Sequence, residues 1–299
     1  MFKLIIHGGA GAIKSPDEYK PSLQKIVTEG QELLQKGKSA TEVVAHCVSL
    51  LEDDPLFNAG RGSVLTADER VECDASIMDG ENLQAGAVAG VSGVKNPVKL
   101  AQTVMEKSEF VFLIGKGAEE FAKLHDLEFM PDEYFITDSR LKQLKEARDA
   151  GKVVLDHSDL KNKKNDEKKL GTVGAVAMDS RGNLASATST GGIVNKRFGR
   201  VGDSSIIGAG TYANNSLAAV SCTGYGEQFI RATMARVAAE FTKELSAKEA
   251  AEKAIEFLQK SVNGLGGLIM IDRFGNIAHA YNTPGLLYAQ ADEKNIKVF

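Results

Sequence analysis

The stretch "GAVAMDSRGNLASA" at residues 174–187 aligns without gaps to "GLIMIDRFGNIAHA" at residues 267–280. Each stretch is an apolar run, a D-x-x-G-N segment and a second apolar run. Aspartate at the start of such a segment and glycine or asparagine at its end supply the backbone angles of a tight turn. Both stretches therefore predict β-hairpins, and hairpins pair their strands antiparallel.

Helical patterns alternate with these strands. The segments between the hairpins, "GEQFIRATMARVAAEFTK" and "SAKEAAEKAIEFLQKSV", predict helices. After a first strand, "FKLIIHGGAGAI", residues 16–51 predict two helices separated by Gly37 and Ser39. Residues 63–80 predict a further hairpin. The order strands, helices, strands, helices, strands predicts an α+β fold, a four-layer αββα sandwich. No linker divides residues 1–299, which are expected to form one domain.

The composition limits the classes of partner and compartment. The net charge is -4, so no basic surface for nucleic acid is expected. The sequence has no run near the ~18 apolar residues that a membrane span needs, and its N-terminal apolar run is too short for a signal peptide. The cysteines are too few and scattered for a disulfide framework, which favours buried thiols in a reducing, cytoplasmic setting. They are Cys47, Cys73 and Cys222.

The segment "KKLGTVGAVA", residues 168–177, joins a very polar stretch directly to an apolar strand. Residues 156–169 predict a flexible surface segment because they can bury little apolar surface. Gly-Thr either opens an ordinary strand or marks a cut between Gly171 and Thr172. After a cut, the α-amine of Thr172, with an ordinary pKa near 8, could act as the base for its own hydroxyl. Glycine before the cut would tolerate a strained backbone.

Other catalytic arrangements find little support in the sequence. The five histidines show no H-x-x-x-H spacing and none pairs with a cysteine at metal-ligand spacing, which argues against a zinc hydrolase. There is no G-x-S-x-G segment. The stretch "GGAGAIK" lacks the third glycine of a dinucleotide-binding loop and is a weak cofactor signal.

Longer motifs carry a family resemblance. The block "GTVGAVAMDSRGNLASATSTGGIVNKRFGRVGDSSIIGAGTYAN" and the later "SCTGYGEQFIRA" resemble the plant-type L-asparaginase and isoaspartyl peptidase family of N-terminal-nucleophile hydrolases. The segments "IHGGAG", "LEDDPLFNAGRGSVLT", "CDASIMDG" and "GAVAGV" match in the same order, so the resemblance covers nearly the whole chain. It implies self-cleavage into residues 1–171 and 172–299, no cofactor for catalysis, and a dimer of processed units.

The resemblance also implies a role for individual residues. Thr172 matches the nucleophile, with the cut after Gly171, and Thr190 matches a threonine that forms hydrogen bonds near it. Further matching positions are the oxyanion hole, Thr223 and Gly224; a backbone contact to the substrate, Gly226; and glycine-loop and active-site positions, Gly8 and Asn58. The oxyanion donors suit the reaction because the tetrahedral intermediate of an amide carries negative charge on oxygen.

Arg200 and Asp203 match the residues that bind the substrate's α-carboxylate and α-amine. Their chemistry fits independently, because a guanidinium binds a carboxylate with two parallel hydrogen bonds and a carboxylate binds an ammonium. The plainer interpretation of an Arg-x-x-Asp pair is a surface ion pair. The resemblance further implies a structural sodium ion held by main-chain carbonyls. The matching positions are Leu51, Glu52, Asp54, Phe57, Ala59 and Arg61.

The expected function is hydrolysis of L-asparagine or of β-aspartyl dipeptides by an autocleaving threonine amidohydrolase. Two alternatives remain open at the level of sequence. One is a glycosylasparaginase-like amidase, against which the missing signal segment and disulfide framework argue. The other is a non-catalytic sandwich that binds amino acids and never cleaves itself.

Overall fold

The structure, a computed structural model, describes residues 1–13, 15–150 and 171–299. The polar segment predicted to be flexible, residues 156–169, lies outside these ranges. The strands are β1 (Lys3–Gly11), β2 (Cys73–Asp79), β3 (Ala85–Val91), β4 (Phe112–Ile114), β5 (Val173–Met178), β6 (Leu184–Thr190), β7 (Thr211–Ala213), β8 (Ala218–Gly224), β9 (Gly266–Asp272), β10 (Ile277–Tyr281), β11 (Gly285–Asp292) and β12 (Ile296–Val298).

The described ranges also contain nine α-helices. They are α1 (Lys20–Gln35), α2 (Ala40–Asp53), α3 (Pro97–Lys107), α4 (Gly115–Leu124), α5 (Asp132–Phe135), α6 (Asp138–Asp149), α7 (Gly226–Ala232), α8 (Met234–Phe241) and α9 (Ala247–Val262). The predicted boundary at Gly37 and Ser39 is confirmed. Ser39 forms a capping box with Glu42, in which each side chain bonds the other residue's backbone N–H.

Two sheets organise the molecule. The larger has the order β12-β11-β1-β5-β6-β2-β3-β4, and the smaller has the order β10-β9-β8-β7. All neighbours pair antiparallel except β3 and β4. Strands β1, β5 and β6 contact β8 and β9 of the smaller sheet. Helices and antiparallel sheets in one chain confirm the α+β class.

Both predicted hairpins are present, one in each sheet. β5 and β6 form the first, and β9 and β10 form the second. The Oδ1 atom of Asp179 accepts hydrogen bonds from the backbone N–H groups two and four residues later, at 2.9 and 3.1 Å. Asp272 does the same at 2.9 and 2.8 Å. The aspartate of each turn therefore satisfies two backbone donors that the turn leaves unpaired.

Helices pack on each sheet. α1, α2 and α3 lie against the larger sheet, whereas α8 and α9 lie against the smaller one. A second buried cluster joins the sheets, with Ile5 and Val176 of the larger sheet packed among residues such as Met270 of the smaller. The three cysteines are buried and free, which confirms the prediction of core thiols. Across the described ranges, no helix has the length and apolar character required to span a membrane.

The hairpin predicted over residues 63–80 is wrong. The first strand in this region begins at Cys73, and its partner is β3, at residues 85–91. The charged residues before it form a turn instead, in which the Thr66 N–H donates to the Arg70 carbonyl at 2.9 Å. Glu69 has a φ of 63°, a left-handed conformation that is uncommon outside glycine and interrupts an extended backbone.

Candidate active site

The predicted nucleophile lies immediately before a central strand of the larger sheet. Val173 pairs with Ser189 in the β5–β6 ladder, so the antiparallel register brings Thr172 beside Thr190. Both threonines line a cleft at this end of the sheets. The full lining is Gly171, Thr172, Thr190, Gly192, Ile193, Arg200, Gly202, Asp203, Ser204, Gly224 and Gly226. Most residues predicted to act in catalysis or substrate binding therefore meet at one place.

The hydroxyl of Thr172 has a partner that the sequence did not indicate. Its Oγ1 lies 3.3 Å from Oγ of Ser204, and both residues are buried. The Oγ1 of Thr190 instead accepts the backbone N–H of Gly192 at 3.0 Å. Ser204 follows Asp203 directly, so the segment that supplies the predicted amine-binding carboxylate also contacts the predicted nucleophile.

A buried cluster of hydroxyl groups lies between the sheets behind this segment. Its members are Ser76, Thr188, Thr211 and Ser221, joined by hydrogen bonds of 2.6–2.8 Å. The cluster ends at Nε2 of His7, 2.9 Å from Ser221, and Ser76 donates to the Ser204 carbonyl at 2.6 Å. Burial lowers the pKa of His7 to about 3, so this imidazole is neutral at pH 7. The network holds the Ser204 backbone against both sheets.

Two glycines of β1 differ in what they face. A Cβ on Gly8 would lie 2.4 Å from the Phe57 ring, so this position packs against the loop after α2. A Cβ on Gly9 would lie 2.7 Å from the backbone nitrogen of Gly171, and Gly9 has a φ of 112°. Gly9, rather than the predicted Gly8, is thus the glycine in contact with the Gly171-Thr172 segment, where only a residue without a side chain fits.

Asp203 has a carboxylate oxygen available for a ligand. The residue is buried, and its Oδ2 has no hydrogen-bond partner among the described residues. Burial raises the pKa of this carboxyl to about 7, against the stabilising effects of its own backbone N–H and of Arg200. A buried carboxylate of this kind gains strongly from a cationic partner, which the ammonium of an amino acid would provide.

Arg200 is paired to a carboxylate in a way the sequence did not predict. Its Nε and Nη2 donate to the two oxygens of Glu227 at 2.8 and 2.9 Å. Burial disfavours the charged guanidinium, but Glu227 outweighs this and holds the pKa of Arg200 above its ordinary value. A Cβ on Gly226 would lie 2.7 Å from Nη2, so the guanidinium packs directly on this glycine of the cleft.

The remaining predicted residues support the cleft from its sides. Gly224 lines it, at the end of β8. The neighbouring hydroxyl, on Thr223, accepts the Ala10 N–H at 3.3 Å. Asn58 lies behind the lining residues and holds the adjacent loop, donating from Nδ2 to the Gly192 carbonyl at 2.9 Å. Asn58 therefore holds the shape of the loop beside the cleft.

The loop predicted to hold sodium folds back on the end of α2. Two side chains at the matching positions make contacts elsewhere. Glu52 accepts a hydrogen bond from Ser189 at 2.6 Å, and Arg61 stacks over the Tyr134 ring. A Cβ on Gly62 would lie 2.1 Å from the Phe57 carbonyl oxygen and 2.6 Å from that of Pro55. No group of three or more His, Cys, Asp or Glu side chains within the described ranges could hold a metal ion. The Phe57 and Pro55 carbonyls therefore lie close to Gly62 inside this loop, and the sodium site stays a prediction.

Among the residues near the cleft that the sequence did not identify are Gly9, Ser204 and Glu227. Each adjoins a residue that it identified, namely Gly8, Asp203 and Gly226. Adjacency in the motifs was therefore the available signal. Sequence position alone could not say which of two neighbours faces the cleft.

Comparisons with known proteins agree with this arrangement. A family model described as asparaginase matches residues 1–299. The chain belongs to the asparaginase family. This family member is 50% identical to the isoaspartyl peptidase of Escherichia coli (strain K12) in an alignment of 295 residues that covers 96% of this chain and 91% of the relative.

Eukaryotic members of the family are also similar. The isoaspartyl peptidase/L-asparaginase of Rattus norvegicus is 45% identical over 291 residues, covering 96% of this chain and 85% of the relative. The protein of the same name from Homo sapiens is 42% identical over 294 residues, covering 97% and 93%. Asparaginases and isoaspartyl peptidases both hydrolyse amide bonds, so family membership makes this chain an amidohydrolase.

Proposed function

We propose that this protein hydrolyses L-asparagine to aspartate and ammonia and removes β-aspartyl residues from the N-termini of dipeptides. The observation that carries the proposal is one cleft lined by a threonine hydroxyl, a guanidinium and a carboxylate with an unpaired oxygen, on Thr172, Arg200 and Asp203. The names of the relatives support the same two substrates.

The active form arises by self-cleavage between Gly171 and Thr172. Residues 1–171 and 172–299 then remain associated as one domain, because β5 and β6 of the second fragment lie between β1 and β2 of the first. The helices on the outer faces of the two sheets complete a four-layer αββα sandwich. Two such processed units form a dimer, and a sodium ion held by carbonyls stabilises the loop after α2.

Catalysis proceeds through an acyl-enzyme. Arg200 binds the α-carboxylate of the substrate, and Asp203 binds its α-ammonium. The free α-amine of Thr172 takes the proton of Oγ1 as this oxygen attacks the side-chain carbonyl. The Thr223 hydroxyl and the Gly224 N–H stabilise the resulting oxyanion. The amine then returns the proton to the leaving nitrogen, and ammonia or an amino acid departs. Water, deprotonated by the same amine, hydrolyses the ester and releases aspartate.

The leaving group is not limited to ammonia. Asparagine and β-aspartyl dipeptides present the same free α-amine and α-carboxylate, whereas an α-aspartyl dipeptide has its α-carboxyl in the peptide bond. Arg200 would then face a neutral amide, and losing a charge-assisted contact costs about 2 kcal/mol or more, over tenfold in affinity.

Aspartate release from three substrates tests the proposal. Purified protein, first shown by intact mass spectrometry to contain a fragment that begins at Thr172, is assayed on asparagine, β-aspartyl-leucine and α-aspartyl-leucine. We expect hydrolysis of the first two and little of the third. Equal rates on the α and β isomers would contradict the proposed binding of the head group. An intact chain of 32.0 kDa after prolonged incubation would favour the non-cleaving alternative.

A further inference from the structure

The guanidinium of Arg200 is held on one edge by a residue that the proposed reaction does not use. Nε and Nη2 donate to Oε1 and Oε2 of Glu227, a two-point contact that fixes the plane of the guanidinium. Glu227 lies in the first turn of α7. This turn is itself anchored, because the Oε1 of Gln228 accepts the N–H of Leu265 at 3.0 Å. The carboxylate is therefore presented to Arg200 from a fixed position.

The other edge of the guanidinium is directed at the cleft. Arg200 lines the cleft, whereas Glu227, at 41% side-chain exposure, is not among its described lining residues. A Cβ on Gly202 would lie 2.9 Å from Nη1, so this nitrogen lies against a backbone segment of the cleft wall. A guanidinium has five N–H donors, and the contact with Glu227 uses two. Among the described residues the guanidinium donates no other hydrogen bond, so both hydrogens of Nη1 and one of Nη2 remain for a second carboxylate.

We propose that Glu227 is a positioning residue that holds Arg200 by its Nε–Nη2 edge, so that the Nη1–Nη2 edge alone receives the substrate's α-carboxylate. This inference rests on the proposed function. A fixed guanidinium binds a carboxylate without first losing rotational freedom, and it fixes the distance between that carboxylate and Asp203. Glu227 thereby makes a free α-carboxylate a condition of tight binding, and it determines specificity without contacting the substrate.

The same contacts allow an opposite role, and the two roles predict opposite changes. If Glu227 were an occupant that the substrate must displace from Arg200, its removal would free the guanidinium and lower the KM. If Glu227 positions Arg200, its removal lets the guanidinium rotate and raises the KM. The sign of the change in KM therefore separates the two.

Glu227→Gln tests the proposal in the full processed protein. The amide keeps the shape of the side chain but replaces one acceptor oxygen with a donor, so it cannot hold both nitrogens of Arg200. We expect the KM for asparagine to rise about tenfold while kcat stays within about threefold. Self-cleavage should be complete, since the Gly171-Thr172 bond has no free α-carboxylate. The matched control is Glu240→Gln, which removes a surface Arg–Glu pair on α8 and should leave both constants unchanged.

Product inhibition supplies a measurement that general destabilisation would not alter. Aspartate and β-alanine share an amine and a carboxylate, but β-alanine lacks the α-carboxylate. The ratio of their inhibition constants should shrink about tenfold in Glu227→Gln, because only aspartate uses Arg200. Glu227→Asp keeps the charge on a shorter side chain, and we expect an intermediate ratio.

Three results have definite meanings. A KM that falls, or a ratio of inhibition constants unchanged in both variants, would overturn the positioning role even if the wild type hydrolyses asparagine. A wild type that releases no aspartate from any substrate would instead overturn the proposed function. A Glu227→Gln protein that does not fold leaves the test to Glu227→Asp, for which an unchanged ratio is equally contradictory.

Discussion

The two D-x-x-G-N hairpins of this chain have the same turn but different surroundings. β5 and β6 are buried along their whole length in the middle of the larger sheet. β9 lies inside the smaller sheet, but β10 is its edge strand and alternates between buried and partly exposed residues. The same local sequence therefore makes the same local structure, and the neighbouring strands decide which hairpin is enclosed.

The residues just before each hairpin differ in chemistry. Gly171 and Thr172 precede the first and line the cleft, whereas Gly264 and Leu265 occupy the equivalent positions before the second. The Leu265 carbonyl accepts the Tyr225 N–H at 3.1 Å, so the segment before the second hairpin supports the start of α7. The segment before the first hairpin carries the proposed nucleophile, and the segment before the second supports the wall of the cleft that contains Gly224 and Gly226. Function therefore resides in the flanks rather than in the repeated turn.

Removing the hydroxyl of Thr172, just before the first hairpin, should have the largest effect. Thr172→Ala removes the nucleophile for both processing and hydrolysis, so we expect a single uncut chain and a loss of at least about 10³-fold in kcat/KM. Intact mass spectrometry and release of aspartate measure the two effects. Leu265→Ala, the equivalent change before the second hairpin, should leave self-cleavage normal. A Thr172→Ala protein that is cut at the same bond would show that an external protease makes the cut.

Disturbing the contact between Gly9 and Gly171 should have the next largest effect. Gly9→Ala would place Cβ 2.7 Å from the Gly171 nitrogen and impose a φ of 112° on alanine. Strain of this kind costs about 1–3 kcal/mol, so we expect self-cleavage to slow about tenfold or more, followed on denaturing gels. The control is Gly37→Ala, where φ is 79° but nothing lies within 4 Å of the new Cβ. Gly37→Ala should lose stability and still cleave at the normal rate. Equal slowing in both variants would show that the contact with Gly171 is irrelevant.

The difference between turn and flank also explains how far the sequence could predict this molecule. The hairpins followed from local chemistry, because Asp179 and Asp272 satisfy backbone donors within their own turns. The wrong hairpin prediction over residues 63–80 also came from reading local sequence alone. The apolar alternation there suggested a strand, but the charged run ending at Arg70 closes a turn that interrupts it.

The contacts within the cleft could not be predicted from local sequence patterns. Its residues were identified through motifs of the family resemblance, which contain no distances between them. Ser204 reaches Thr172 across 32 residues, and Glu227 reaches Arg200 across 27. Such pairs depend on how the sheets stack and where α7 begins, which no periodicity in the sequence encodes.

Binding of asparagine in the cleft should weaken as the pH falls below 7. Asp203 must be ionised to bind an ammonium, and its pKa lies at about 7 in the folded protein. As the pH falls below 7, the carboxyl is protonated, and we expect the KM for asparagine to rise by about tenfold per pH unit. The α-amine of Thr172 also titrates, but in the enzyme–substrate complex its effect falls on kcat. Steady-state kinetics between pH 5 and 9 separate the two constants. In Asp203→Asn the KM should be high and independent of pH, and a persistent acid rise there would assign the titration to another group.

The two turn aspartates should show the smallest effects, in stability alone. Asp179→Ala and Asp272→Ala each remove an acceptor of two backbone N–H groups, and the exposed positions within each turn let water replace part of this loss. We expect about 1 kcal/mol of lost unfolding free energy for Asp272→Ala and about 2 kcal/mol for Asp179→Ala. The larger value follows from a contact with another element, because Asp179 Oδ2 also accepts the Ala40 N–H at 3.4 Å, at the start of α2. The Oδ2 of Asp272 accepts only from Asn276 of its own turn among the described residues, at 2.8 Å. Denaturant unfolding measures both values, and kcat/KM of the folded variants should stay within about twofold of wild type. Loss of activity in Asp272→Ala at unchanged stability would mean that the second hairpin takes part in the reaction, and the division of roles between the hairpins would then fail.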